Sequence, residues 1–358
     1  MNVDRRTLVA RDCEEALAGM SRALEPLKND RILITGGTGF IGTWLAEMLA
    51  FLNDNHGFSV RMLLSSKKAQ AFREKAPHLA ERKDVELLEM DVRRTVELPE
   101  DVNRIIHAAC SPDSRLHASD PITVIDVVVN GTATLLAAAA RLPELKMVLN
   151  VSSGWVYGSQ PVEHGGISES SWGSLDPHAI ASVYPEAKRC GETVCAAYAN
   201  GYRLPIVNAR PFAYVGPYQL LDKPWAVNNF FRDAMLGGPI RILGNPETVR
   251  SYLYASDMAC WLLKILTNGK SGQSYNVGSP QGVTLRELAK IIAEHCPNTV
   301  EIQSQQLGKK IQPSSTFVPD TSLAESELHL RDTVDLRDAI GRTIAWNRSA
   351  RGAGAIAT

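Results

Sequence analysis

No two cysteines of this chain lie at C-x-x-C spacing. The six present (Cys13, Cys110, Cys190, Cys195, Cys260 and Cys296) sit mostly in apolar segments, which reads as reduced, buried thiols and sets aside a metal site or a disulfide framework. An excess of one charge is missing as well. The 38 basic residues nearly balance the 39 acidic ones, so nothing electrostatic points to nucleic acid or an anionic membrane as a partner. No apolar run approaches the roughly 20 residues needed to span a bilayer. Residues 1–30 alternate charge with apolar side chains, unlike a signal peptide, and a cytoplasmic chain is expected. Internal repeats and low-complexity blocks are absent too. What remains is an ordinary globular composition, 44% hydrophobic and 22% charged over 358 residues, enough for one large domain or two intimate ones with a proper core.

From Arg31 onward, short apolar runs alternate with helical stretches. Residues 31–35, 59–64, 85–89, 104–107, 147–152 and 206–209 read as strands, and 43–52, 69–76, 122–141 and 184–200 as helices. This order predicts an α/β fold, a Rossmann-type doubly wound parallel sheet covered on both faces. Ahead of it, residues 13–27 carry Leu17, Met20 and Leu24 at helical spacing and predict a short amphipathic helix in an N-terminal extension over 1–30. After Pro211 the rhythm loosens into Gly- and Pro-containing loops, with helices over 227–236, 256–267 and 285–295. The expected division is a dinucleotide-binding domain over 31–210 and a smaller, mainly substrate-binding C-terminal lobe over 211–346 at the sheet's carboxyl edge. The Ala/Gly-rich tail, 347–358, reads as disordered.

The first strand leads directly into Gly36-Gly37-Thr38-Gly39-Phe40-Ile41-Gly42, with Gly36, Gly39 and Gly42 at G-x-x-G-x-x-G spacing. At a strand-to-helix junction such a turn lets the backbone approach a pyrophosphate while the helix start offers unpaired N–H groups. The cofactor implied is NADP(H) or NAD(H). A free ribose 2′-hydroxyl favours a carboxylate at the end of the second strand, yet that strand ends Ser65-Ser66-Lys67-Lys68. Two hydroxyls and two ammonium groups tilt the reading slightly toward NADP(H). Asp91 and Val92 after the third strand, Ala108 and Ala109 in His107-Ala108-Ala109 after the fourth, and Pro211 are placed along the cofactor.

Tyr184 and Lys188 stand four residues apart in a helical segment and so share one face. A free phenol titrates near pH ~10 and is a poor base at neutral pH unless a positive neighbour favours the phenolate. Lys188 can supply that charge. Alone, the pair is something any solvated helix face can carry; its company gives it meaning.

With the glycine turn, His107-Ala108-Ala109, Asn130-Gly131-Thr132, Ser152-Ser153-Gly154-Trp155-Val156-Tyr157-Gly158 and Tyr184 to Lys188 in this order, the chain resembles the extended short-chain dehydrogenases/reductases. More narrowly it is similar to the nucleotide-sugar epimerase/dehydratase family, over about residues 31–345. The resemblance implies Tyr184 as the acid/base, Lys188 as its pKa modulator and ribose ligand, and Ser153 as the hydroxyl completing the proton path. Ser153 is preferred to Ser152 because it stands five residues before Gly158, where the family places its Ser or Thr. Asn130 is implied as the helix-positioned Asn of the family. Arg250, in Val249-Arg250-Ser251-Tyr252-Leu253-Tyr254, resembles the arginine that grips the substrate diphosphate, a group well matched to a guanidinium fork. Asn229, Trp155 and Asn276 are implied around the same substrate. Relatives pair through the helices over 122–141 and 184–200, so a homodimer is expected; no metal is.

Two departures narrow the chemistry. Members that eliminate water between C4 and C6 usually carry Asp-Glu after the catalytic hydroxyl, and sugar-nucleotide decarboxylases carry Glu nearby; here those places hold Gly154 and Trp155. Ala213 stands where many relatives have a substrate-contacting Asn. The expected function is redox chemistry at C4 of a nucleotide-linked hexose, either 4-ketoreduction of an NDP-4-keto-6-deoxyhexose or 4-epimerisation. The alternatives are a 4,6-dehydratase or decarboxylase with a different acid, a small-ketone reductase, and a non-catalytic NADP-sensing scaffold. Arg250 and Asn229 speak against the small ketone, and Ser153, Tyr184 and Lys188 together speak against the scaffold.

Overall fold

The computed structural model describes residues 4–158, 166–304 and 314–351. Its strands, in chain order, are β1 (Arg31–Thr35), β2 (Arg61–Ser66), β3 (Val85–Glu89), β4 (Arg104–His107), β5 (Met147–Val151), β6 (Ile206–Pro211), β7 (Ala213–Val215), β8 (Ile240–Ile242), β9 (Val249–Arg250), β10 (Tyr252–Tyr254), β11 (Ser274–Val277), β12 (Val283–Thr284), β13 (Ile302–Ser304) and β14 (Thr316–Phe317). Seven of them form a parallel sheet in the order β11-β6-β5-β4-β1-β2-β3. The order reverses between β1 and β4, which places a ligand crevice at their carboxyl ends. Burial on both faces explains the unbroken apolar run of β1. Ile32 and Ile34 pack with Trp44, Leu45, Met258 and Leu262 on one side, and Leu33 packs with Leu135, Leu136 and Val148 on the other.

Several boundaries differ from the sequence reading, each for a local reason. The second strand starts at Arg61 because Ser59 is left-handed, with φ of 57°. The helix after the glycine turn runs Phe40–His56 and is closed by left-handed Gly57. The segment expected as one helix over 122–141 comprises Pro121–Ile125, a wider π-turn at Asp126–Asn130, and Gly131–Ala139. By length and composition this Pro121–Ala139 stretch is long and apolar enough to cross a membrane, contrary to expectation. Asp126 and Asn130 interrupt its apolar run, so no unbroken apolar stretch marks it in the sequence. One side of it packs on the Val183–Tyr202 helix, while Ile122 and Ile125 are exposed. The expected helix over 13–27 is replaced by Arg5–Leu17 and a 3-10 segment, Ser21–Leu27, because left-handed Gly19 ends the first and Pro26 lies in the second.

The extension is part of the core. Leu8, Val9, Cys13, Leu17, Leu24 and Leu27 are buried against the Phe40–His56 and Ala255–Asn268 helices. Buried Asp12 accepts hydrogen bonds from the Tyr254 hydroxyl at 2.6 Å and from Arg342 at 2.7 Å. The expected cut at residue 211 is not clean either. The Ala255–Asn268 helix and β11 return to the central sheet and the Ser322–Leu328 helix packs on both, while Phe230, Phe231, Leu288 and Ile340 belong to a second core. The helix Leu336–Arg351 takes in the start of the tail expected to be disordered; residues 352–358 lie outside the described residues. Cys13, Cys195 and Cys260 are buried, but Cys190 is exposed on the outer face of its helix.

Candidate active site

The glycine turn presses against the neighbouring strand. Gly36 has φ of 66°, and a Cβ there would lie 2.6 Å from the Ala108 carbonyl oxygen, so only glycine lets the β1 turn approach the end of β4 this closely. Gly39 caps the Phe40–His56 helix without a side-chain hydrogen bond, leaving the first N–H groups open to an anion. Phe40 and Ile41 are partly exposed at that helix start. This cradle, with Ala108 and Ala109 beside it, suits a dinucleotide pyrophosphate.

At the end of β2 the Ser65 and Ser66 hydroxyls are buried and find no hydrogen-bond partner among the described residues, and Lys67 is exposed. Two residues that the sequence reading did not single out stand at the glycine turn and on the adjoining strand. Lys75 donates to the Thr38 carbonyl oxygen at 2.8 Å and to Thr43 Oγ1 at 3.0 Å, and burial of its ammonium lowers its pKa to about 8. Glu89 is the register partner of Ser66 across the sheet. Asp91 is engaged by Arg93, whose hydrogen bond of 2.6 Å holds the carboxyl down at about 2. The Val92 side chain packs against Gly131, so what Val92 can offer a cofactor is its backbone. Pro211 ends β6 opposite Val277.

His107 does not line the crevice. Its ring is buried, with Nδ1 2.7 Å from Thr35 Oγ1 and Nε2 3.1 Å from Thr132 Oγ1, and burial lowers its pKa to about 3. It is a neutral strut joining β1, β4 and the helix Gly131–Ala139. Asn130, implied as the helix-positioned Asn of the family, is exposed and donates to Asp126 at 3.2 Å; buried Thr132 lies 3.1 Å from His107 Nε2 and ties the helix to β4.

Ser153, Tyr184 and Lys188 converge. The Val183–Tyr202 helix places Tyr184 in its first turn and Lys188 one turn later, and each is only 8% exposed. Lys188 Nζ donates to the Val151 carbonyl oxygen at 2.8 Å and lies 5.9 Å from the Tyr184 ring centroid. Burial pushes the Tyr184 phenol far above its ordinary value, while a hydrogen bond with Ser153 acts in the opposite direction. Ser152, by contrast, has a buried, unpartnered hydroxyl. Two further groups close on Tyr184. His117 stacks on its ring with centroids 4.4 Å apart and planes at 9°, and Tyr214, whose buried hydroxyl has no partner, is raised by burial and by its proximity to Tyr184. His117 belongs to no motif, whereas Tyr214 stands beside Ala213, a position already read as lying on the substrate side.

On the substrate side, Arg250 is held by the Val249 carbonyl oxygen (2.7 Å), the Ser315 carbonyl oxygen (3.0 Å) and Ser315 Oγ (3.1 Å). It has no carboxylate partner among the described residues, and burial lowers its pKa. A half-desolvated guanidinium without a counter-ion is suited to a phosphate. Asn229 projects from the Ala226–Leu236 helix and accepts from Arg232. Asn276 departs from expectation. It is 0% exposed; it accepts from Tyr157 at 2.6 Å and donates to the Ile167 and Asp320 carbonyl oxygens at 2.8 and 2.9 Å. With its side chain saturated, Asn276 is a structural strut rather than a substrate contact. Trp155 is 50% exposed and stacks on Phe317.

This crevice, its glycine cradle and the Ser153, Tyr184 and Lys188 set define an extended short-chain dehydrogenase/reductase. The chain belongs to the NAD dependent epimerase/dehydratase family, whose model matches residues 32–278, and it is an enzyme of the NAD-dependent sugar-nucleotide type. Among curated relatives, UDP-glucuronic acid decarboxylase 3 of Arabidopsis thaliana is 30% identical over 312 residues, 87% of each chain. UDP-glucuronic acid decarboxylase 1 of the same plant is 29% identical over 319 residues, 89% of this chain and 70% of that one. Among solved structures, the dTDP-glucose 4,6-dehydratase of Streptomyces venezuelae, with NAD bound, is 26% identical with a TM-score of 0.74, covering 90% of this chain and 98% of that one. The fold is shared as well with UDP-glucuronic acid 4-epimerase from Bacillus cereus, 21% identical, TM-score 0.76, covering 89% and 99%.

Proposed function

We propose that this enzyme moves a hydride and a proton at C4 of a nucleotide-linked hexose, as a 4-ketoreductase or a 4-epimerase. The observation that carries the reading is the convergence of Ser153, Tyr184 and Lys188 with an indole, Trp155, standing where a carboxyl acid would act. A bound nicotinamide supplies or accepts the hydride. Tyr184 gives its phenolic proton to the C4 oxygen during reduction, or takes the hydroxyl proton during oxidation. Ser153 holds the phenol and the sugar oxygen in one hydrogen-bonded line. Lys188, fixed by Val151, provides the positive field that favours the phenolate. Arg250 and Asn229 hold the diphosphate.

The similarity to UDP-glucuronic acid decarboxylases favours a second reading, in which C4 oxidation of a uronic acid creates a β-keto acid that loses carbon dioxide. Trp155 in place of a carboxyl acid weighs against it.

For the cofactor, the unpartnered hydroxyls of Ser65 and Ser66, exposed Lys67 and the nearby Lys75 ammonium favour a 2′-phosphate and hence NADP(H). NAD(H) is favoured by Glu89, which stands opposite Ser66, and by the NAD bound in relatives. Two copies of the chain are expected to pair through the exposed Ile122 and Ile125 stripe beside the Val183–Tyr202 helix.

The test is to release the cofactor from purified protein, identify it by mass spectrometry, and follow nicotinamide absorbance with NDP-4-keto-6-deoxyhexoses and with NDP-hexoses. Exchangeable NADPH oxidised by the keto sugar supports the reductase; tightly retained NAD with conversion between two hexose epimers supports the epimerase. Absence of any hydride transfer with either substrate class overturns the reading.

A further inference from the structure

An aromatic stack links the proton-transfer turn to the strand beside the phosphate arginine. Trp155 follows Ser153 by two residues, and its backbone N–H donates to Ser153 Oγ at 3.2 Å. Its half-exposed indole stacks on Phe317 with centroids 4.8 Å apart and planes at 20°, and Phe317 packs in turn on Phe212 at 4.5 Å. Phe317 lies on β14, where it is the register partner of Arg250 on β9. The stack therefore begins next to the proton donor and ends level with Arg250, the interval that a sugar joined to its diphosphate must occupy.

The turn is shaped to receive these rings. A Cβ on Gly154 would lie 2.8 Å from the Phe212 ring, so a larger residue there would push Phe212 out of the stack. Among the described residues the cation–π contacts fall on other rings than Trp155, Phe212 and Phe317. Lys188 is turned back onto the Val151 carbonyl oxygen. Among the described residues the cations nearest this wall, Arg189 and Arg250, donate to the backbone carbonyls of Val156 and Gly173 and of Val249 and Ser315, so the rings themselves present a carboxylate with no free counter-charge.

We propose that Trp155 and Phe317 form the platform for the C5 side of the sugar, and that it selects an uncharged, apolar substituent there, as in a 6-deoxyhexose, over the carboxylate of a hexuronic acid. This rests on the C4 oxidoreductase reading and narrows its substrate class. The C–H face of a pyranose and its methyl group gain dispersion contacts and release water against aromatic rings. A carboxylate in the same place sheds its hydration with nothing to replace it. One substitution thus does two things: Trp155 removes the acid that dehydration or decarboxylation uses, and it lines the gap with a surface hostile to the uronic acid.

The experiment is calorimetric titration of cofactor-loaded protein with the free nucleoside diphosphate, its 4-keto-6-deoxyglucose conjugate and its glucuronic acid conjugate, the nucleotide being the same throughout. The 6-deoxy conjugate is expected to bind at least about 10-fold more tightly than the glucuronic acid conjugate. Trp155→Ala and Phe317→Ala are each expected to remove most of that preference while leaving the free nucleotide's affinity unchanged. Glucuronic acid conjugate binding as tightly as the 6-deoxy one, or preference surviving in both variants, overturns the platform. Turnover is read separately: hydride transfer that prefers the glucuronic acid conjugate faults the platform alone, whereas binding preference without any hydride transfer supports the platform and faults the oxidoreductase reading.

Discussion

Lys188 gives its hydrogen bond to the Val151 carbonyl oxygen, 2.8 Å away, and keeps its ammonium 5.9 Å from the Tyr184 ring centroid. The lysine is thus held by β5 and does not hydrogen-bond the phenol, so any influence on Tyr184 has to act through space. Tyr184→Phe keeps the ring and its stacking on His117, so cofactor binding should persist while kcat falls by about 100- to 10,000-fold, the usual worth of a positioned acid/base. Steady-state kinetics alongside cofactor titration checks this; near-normal turnover would refute the assigned role.

Arg250 lacks a carboxylate partner among the described residues, so its loss leaves no stranded negative charge behind. Arg250→Ala should weaken nucleoside diphosphate binding by about 10- to 150-fold, the equivalent of the ~1.5–3 kcal/mol of hydrogen bonds to a charged group. Cofactor affinity should be unchanged. Calorimetry with both ligands separates the two, and equal losses would count against a diphosphate site.

Lys75 supplies a pH signature. Its pKa is lowered to about 8, so the ammonium charge is present below that pH and disappears as pH rises through it. NADPH affinity should therefore fall above about pH 8, the NADH affinity should not, and Lys75→Met should flatten the NADPH profile. Fluorescence titration of both cofactors across this range is the measurement. Identical profiles would remove Lys75 from the 2′-phosphate site and leave Glu89 as the group that meets the ribose.

The Ile122 and Ile125 side chains are exposed on a stretch whose other side packs on the Val183–Tyr202 helix. Replacing both by Asp should leave the monomer's far-UV circular dichroism intact and halve the mass measured by light scattering. An unaltered mass would place the dimer contact elsewhere or exclude it.

Buried Asp12 joins Tyr254 and Arg342. Arg342 retains Glu15 and Asp338, so Asp12→Ala should cost about 3 kcal/mol, the low end for breaking a buried ion pair. Urea unfolding of the whole chain tests this.

The sheet was legible because parallel strands buried on both faces leave unbroken apolar runs, as in residues 32–34, and the crevice was legible because the glycine turn sits at a strand-to-helix junction. Lys75 and His117 were not legible. Each reaches the crevice by packing across the chain, Lys75 over 37 residues to Thr38 and His117 over 67 to Tyr184, and no local spacing records such contacts. Asn276 misled for the converse reason: a polar residue at the edge of a binding strand invites a ligand, and only the tertiary structure shows Tyr157, Ile167 and Asp320 already satisfying it.

The Asp12 tie has a practical consequence for anyone shortening this chain. A version beginning near residue 31, where the family match starts, would lose the lining formed by Leu8, Val9, Cys13, Leu24 and Leu27 and bare a greasy trough along the Phe40–His56 and Ala255–Asn268 helices. Such a trimmed protein should clump during purification, and its inactivity would say nothing about Tyr184.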